Sequence, residues 1–227
     1  MLLPCTMHAT EGVILLHGLC RTSASMSKMA AALQSAGYIV LNVDYPSRTA
    51  PVEKLADDTL AKALSSPVLA GCAQVHFVTH SMGGIVVRSY FSRHADPRLG
   101  RVVMLGPPNQ GSEVVDHLRG LPLFRAINGP AGGELGTAAS DTPAKLGPVN
   151  FPLGVIAGDR SINWINSLMI PGKNDGKVSV ERTKVAGMTA QAVVHATHPF
   201  LMRNAQAIRL TIRFLETGSF LNARARA

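Results

Sequence analysis

Cysteine is scarce in this chain: Cys5, Cys20 and Cys72 are the only three in 227 residues. An odd count with no C-x-x-C pair argues against a disulfide framework and fits a reducing compartment. All three are expected to serve as small buried apolar side chains. Aromatic residues make up only 5%, and the basic residues are scattered, apart from Arg203, Arg209, Arg213, Arg224 and Arg226. A nucleic-acid binder would carry a dense basic run or stripe, so no nucleic-acid partner is expected. No apolar run reaches the length of a membrane span, so integral membrane association is not expected. The opening residues, MLLPCTMHAT, lack early Lys or Arg and hold only a short apolar start. They do not read as a secretory signal. A cytoplasmic location is expected, with a trimmed secreted precursor as the alternative. Acidic residues are also few, 14 against 22 Lys and Arg, for a net charge of +8. That balance describes a solvated basic surface, or attraction to anionic interfaces or substrates.

What is present is enough for one domain with a sizeable core: 227 residues, 46% of them hydrophobic. No internal repeat or low-complexity tract divides it. Val75–Phe91, VHFVTHSMGGIVVRSYF, is the most informative stretch. Val75, Phe77 and Val78 follow strand grammar. Ile85, Val86, Val87, Tyr90 and Phe91 recur at helical spacing. His80-Ser81-Met82-Gly83-Gly84 lies between them. A strand that turns abruptly into a helix at a serine is a nucleophile elbow, with the hydroxyl projecting above the sheet. The residues two before and two after that serine must be small. Gly83 complies, whereas Thr79 stands where glycine is usual. The helix start directs free N–H groups at the serine.

The same grammar continues along the chain. Val13–Leu16 reads as a strand buried on both faces, ended by His17-Gly18. A helix is predicted over Ser23–Ala36, stopped by Gly37, then a strand over Tyr38–Asp44 and a helix over Val52–Leu64. Further strands are predicted over Arg101–Gly106, Leu153–Gly158 and Gln191–His195. A short helix should end at Leu118, and Arg203–Leu215 should form a closing helix. Gly120–Pro148 is so rich in glycine and proline that no long element is predicted there. A loop of that length asks for an explanation. Alternating strands and helices predict a parallel sheet covered on both faces.

His-Ser-Met-Gly-Gly after a strand, with His-Gly-Leu ending an earlier one, resembles the α/β-hydrolase superfamily, most of all its small bacterial esterases and lipases. The resemblance runs from about Gly12 onward. It implies a single α/β-hydrolase domain over 1–227 with a minimal, about six-stranded parallel sheet, and 120–148 as a candidate cap or lid insertion. It also implies an oxyanion hole built from the backbone N–H groups of Leu19 and Met82. The family's order along the chain is nucleophile, acid, histidine. His198, in the loop before the closing helix, stands where the family places its base. His195 and His17 read as structural. Asp175 in Asn-Asp-Gly-Lys-Val resembles the family's acid loop, whereas Asp159 suits a helix cap. His195 and His198 lack the H-E-x-x-H glutamate and helix of a metal pair, so neither a metal nor an organic cofactor is expected.

The implied activity is hydrolysis of small-molecule or lipid acyl esters through an acyl-enzyme on Ser81. Thioesterase, amidase or acyltransferase chemistry could use the same residues, and a non-catalytic binding protein could use the same fold. Leu121, Leu123, Phe124 and Ile127 are candidates for the mouth of an acyl pocket. The alternative is that they belong to a packed surface excursion.

Overall fold

The computed structural model describes residues 10–161, 170 and 172–221. Cys5 lies outside them. Six parallel strands form one sheet in the order β2-β1-β3-β4-β5-β6. They are β1 Glu11–Leu16, β2 Ile39–Val43, β3 Gln74–His80, β4 Leu99–Leu105, β5 Leu153–Gly158 and β6 Ala190–Val194. The helices are α1 Ser27–Ser35, α2 Val52–Leu64, α3 Met82–Phe91, α4 Glu113–Leu118, α5 Pro122–Gly133, α6 Thr142–Lys145 and α7 Ala205–Thr217.

The strands are apolar almost throughout because both faces are covered. Ile14, Leu16, Phe77, Met104 and Val155 pack with α2 and α3 on one side. Val13, Leu15, Val78, Val103 and Ile156 pack with α1 and α7 on the other. This is the period-two split of a pleated strand. Register aligns Leu16 with Thr79, His80 with Leu105, and Gly158 with Val194. The carboxyl ends of the central strands therefore form one edge, where open α/β sheets present their sites.

Three expectations change. Gly120–Pro148, expected as a loop, holds short helices, and its breakers still keep them short. Pro122 occupies the first turn of α5, where its missing N–H costs nothing. Gly129 takes φ 66° at a kink before Pro130. His195 falls just beyond β6 rather than within it. Cys20 is exposed while Cys72 is buried; a turn described below carries Cys20 out of the core. Among the described residues, no helix is long and apolar enough to cross a membrane.

A buried arginine, which the sequence pattern does not single out, fastens the segments around Asn109 and 143–147 to α3. Arg88 on α3 is 3% exposed. It donates to the Asn109 carbonyl at 2.9 Å, the Pro143 carbonyl at 3.1 Å and the Gly147 carbonyl at 2.7 Å. Burial lowers its pKa to about 10, so it stays charged near neutrality. Replacing it leaves three carbonyls without their charged donor. Arg88→Met is expected to lower the unfolding free energy by about 2–4 kcal/mol, read from urea denaturation. A loss below about 1 kcal/mol would mean that water reaches those carbonyls instead.

Candidate active site

Ser81 links β3 to α3 with φ 53° and ψ −124°. Cys20 is the other non-glycine with positive φ among the described residues. L-residues avoid this region because of Cβ sterics, and it costs about 1–3 kcal/mol. The surroundings enforce it. The Ser81 N–H donates to the Leu105 carbonyl at 2.8 Å, which hangs the turn from β4. Gly83 lets α3 close on β1: a Cβ there would lie 2.8 Å from the Leu16 oxygen and 2.9 Å from the His17 oxygen. Thr79 is fully buried, and its hydroxyl finds no hydrogen-bond partner among the described residues.

The loops after β5 and β6 meet this serine. The Ser81 hydroxyl lies 3.0 Å from His198 Nε2, and His198 Nδ1 lies 2.7 Å from Asp175 Oδ2. The second Asp175 oxygen accepts the N–H groups of Lys177 at 3.0 Å and Val178 at 2.9 Å. That carboxylate is 1% exposed and aimed by a turn in which Gly176 adopts φ 95°. With Asp175 ionised, Nδ1 carries the imidazole proton and Nε2 is left to accept from the serine. Gly106 makes room for the pair, since a Cβ there would lie 3.0 Å from Asp175 Oδ2. Asp159 is elsewhere, 2.9 Å from His195 Nδ1 at the surface.

On the opposite side, Gly18–Arg21 forms a tight turn closed by the Arg21 N–H on the Gly18 carbonyl at 3.2 Å. Cys20 has φ 57° within it, and its N–H donates to Ser47 Oγ at 3.1 Å. The Leu19 and Met82 amides have no acceptor among the described residues. His17 braces this turn: Nδ1 lies 2.9 Å from the Gly18 carbonyl and Nε2 accepts the Tyr45 N–H at 3.3 Å. Burial lowers the His17 pKa, outweighing the Asp44 carboxylate 3.3 Å away, so the imidazole is neutral.

A cleft of about 370 Å³ opens over Ser81 and His198. Phe124 and Ile127 line it, together with Val114, Val115 and Leu135. Leu121 and Leu123 do not. They are 53% and 71% exposed, Leu121 just before α5 and Leu123 in its first turn. No cluster of three or more potential metal ligands occurs among the described residues.

One residue within the motif had no role assigned from sequence. His80 is buried, and its Nε2 lies 2.9 Å from the His198 carbonyl, with the two rings 4.8 Å apart. Burial, then the neighbouring His198, holds its pKa well below the ordinary value. It is therefore a neutral imidazole that donates from Nε2 and fixes the backbone of His198. Its Nδ1 has no partner. The available signal was position: His80 follows His76 and Val78 on one face of β3 and immediately precedes the serine.

A serine, an imidazole and a carboxylate in hydrogen-bonded sequence, at the carboxyl edge of a parallel sheet, define a hydrolase architecture. The alpha/beta hydrolase family model matches residues 13–209, and the chain belongs to that family. Among solved structures, the mature form of lipase BlEst2 from Bacillus licheniformis is similar at 20% identity, with 93% of each chain covered and a TM-score of 0.72. The lin2722 product from Listeria innocua is similar at 19% identity over 92% of this chain and 94% of that one, TM-score 0.63. Phospholipase PlaB from Legionella pneumophila is similar at 18% identity, covering 77% of this chain and 46% of that one, TM-score 0.63. No curated protein matches the chain significantly.

The neutral buried histidines carry a pH signature. Burial depresses His17, His76 and His80 in the native state, whereas each titrates near 6.5 when unfolded. Below about pH 6.5 the unfolded chain binds more protons, so stability falls as pH drops toward the native values and is fully present above 6.5. His80→Gln should remove about 1.4 kcal/mol per pH unit from the slope between pH 6 and 5, measured by urea denaturation at each pH. Equal slopes in both proteins would mean that His80 is protonated in the native state.

Proposed function

We propose that this protein is a serine carboxylic-ester hydrolase that acts on acyl esters through an acyl-enzyme on Ser81. The observation that carries the reading is the Ser81–His198–Asp175 hydrogen-bond row beside the Leu19 and Met82 amides, which have no acceptor among the described residues. A serine hydroxyl is a weak nucleophile and needs an adjacent base. His198 Nε2 takes the Ser81 proton as Oγ attacks the ester carbonyl. The Leu19 and Met82 N–H groups stabilise the oxyanion. Collapse of the tetrahedral intermediate breaks the bond to the alcohol, which leaves with the proton from His198. Water then enters, gives a proton to His198 and attacks the acyl-serine. Collapse of this second intermediate returns the proton to Oγ and frees the acid. Asp175 holds the imidazole in its Nδ1–H tautomer and stabilises the imidazolium. The lipase and phospholipase neighbours favour this chemistry over a binding role.

Ser81→Ala should abolish hydrolysis of p-nitrophenyl esters, and a fluorophosphonate should label wild type once but not the variant. Asp175→Asn should lower kcat by about 10²–10⁴ with the fold intact, because the imidazole loses its tautomer control. Asp159→Asn should change kcat by less than threefold, about 0.7 kcal/mol. A crippled Asp159→Asn enzyme beside a mild Asp175→Asn enzyme would transfer the acid role to Asp159.

The apolar wall of the cleft suits an acyl chain. Phe124→Asp should raise KM for p-nitrophenyl octanoate about tenfold or more, and far less for the acetate, since burial of a chain of that length is lost. Leu123→Asp, outside the cleft, should alter neither. Equal losses on both esters with a lowered Tm would leave Phe124 a purely structural part.

A further inference from the structure

The cleft over Ser81 carries charge of only one sign. Among its lining residues, Arg21 and Lys177 are charged and no carboxylate is included. Both are exposed, and neither forms an ion pair among the described residues. The nearby acids are occupied. Asp175 lies beneath His198 with its oxygens taken by the imidazole and two amides. Asp44 sits in the adjoining surface depression, where it accepts the Ser23 N–H at 2.9 Å and faces His17. Glu113 pairs with Arg182.

Both cations line the cleft from segments next to the catalytic row. The leaving oxygen must lie against His198 Nε2, which protonates it. Lys177 follows the acid loop and donates its own N–H to Asp175 at 3.0 Å, directly behind His198. Arg21 closes the turn that presents Leu19. The remaining wall, from Val114 to Ile127 and Leu135, is apolar. An anion there would lose its hydration without gaining a partner. The cleft therefore combines an apolar wall, which suits a hydrocarbon acyl chain, with two exposed cations, which suit a negative group on the remaining part of the ester.

We infer that Arg21 and Lys177 select acyl esters whose alcohol carries an anionic group, a carboxylate or a phosphate. The inference rests on the ester-hydrolase reading and names the substrate class of that same site. Two positive groups at a cleft mouth raise the local concentration of anionic substrate and hold it in one orientation. Because both side chains are exposed, salt must weaken the preference.

The test uses two matched pairs of octanoyl esters. One is 2-nitrophenyl octanoate against its carboxylated analogue, 4-nitro-3-(octanoyloxy)benzoate. The other is 1-octanoylglycerol against its 3-phosphate. The quantity read is the anionic-to-neutral ratio of kcat/KM within each pair. It is measured for wild type, Arg21→Ala, Lys177→Ala and the double variant, at low and at about 0.5 M ionic strength. The ratio is expected to fall about tenfold in the double variant in at least one pair, and to fall in wild type as salt rises. The responding pair distinguishes carboxylate from phosphate. A ratio unchanged by both substitutions in both pairs would overturn the inference while leaving the esterase reading intact. No turnover of any of the four esters that is lost in Ser81→Ala would overturn both.

Discussion

The backbone of Ser81 is the constraint on which the rest of the site depends. A φ of 53° in a residue with a Cβ persists only when neighbouring structure over-determines it. Here β4 holds the amide, while the absence of a Cβ at Gly83 lets α3 come down on β1. The central strands must be in register before those contacts exist. The sheet does more than support the site, because it supplies the force that keeps the serine in a conformation it would otherwise leave. The glycines at 18, 83 and 106 are spaces reserved for this one turn and its partners.

Most of the sheet was legible because buried parallel strands leave an unmistakable trace of continuous Val, Ile and Leu runs between glycines. Val52–Leu64 and Leu153–Gly158 coincide with the elements as observed. Ser81, Asp175 and His198, which the structure brings together, could be singled out because strand, turn and helix grammar fixes where Ser81 lies, and the family order narrows the search for the other two. Gly120–Pro148 was misjudged for a physical reason. Proline breaks a helix interior but begins a helix well, and local composition does not say which position a proline will occupy. Leu121 and Leu123 were grouped with Phe124 and Ile127 because hydrophobicity alone carries no facing information until the helix is known. The anchoring by Arg88 and the bracing by His80 were not legible at all. Each depends on carbonyl groups from segments distant in sequence, and a backbone oxygen has no one-letter code.

Charge is distributed with a clear division of labour. Inside, the imidazoles of His17 and His80 are held neutral by burial and act as shaped hydrogen-bonding groups. A protonated His80 would place a second positive charge beside the proposed base and oppose the imidazolium formed during the reaction. Outside, the cations at the cleft rim are exposed and form no ion pair among the described residues. Their field reaches approaching molecules, whereas the buried groups define geometry. Arg88, a deeply buried cation, is solvated by carbonyl dipoles in place of water.

The order of the strands also sets a timetable. After β1 and β2, each new strand, β3, β4, β5 and then β6, adds to the same growing edge in chain order. His198 follows β6. During synthesis the serine turn can therefore form well before the imidazole arrives, and Ser81 waits beside a vacant place while the chain lengthens. A nascent protein of this topology can place Ser81 before its histidine partner has been made, since domains mature from the amino end as the ribosome proceeds. The final step of assembly, docking the segment after β6 against Ser81 and Asp175, completes the hydrogen-bonded row of serine, imidazole and carboxylate.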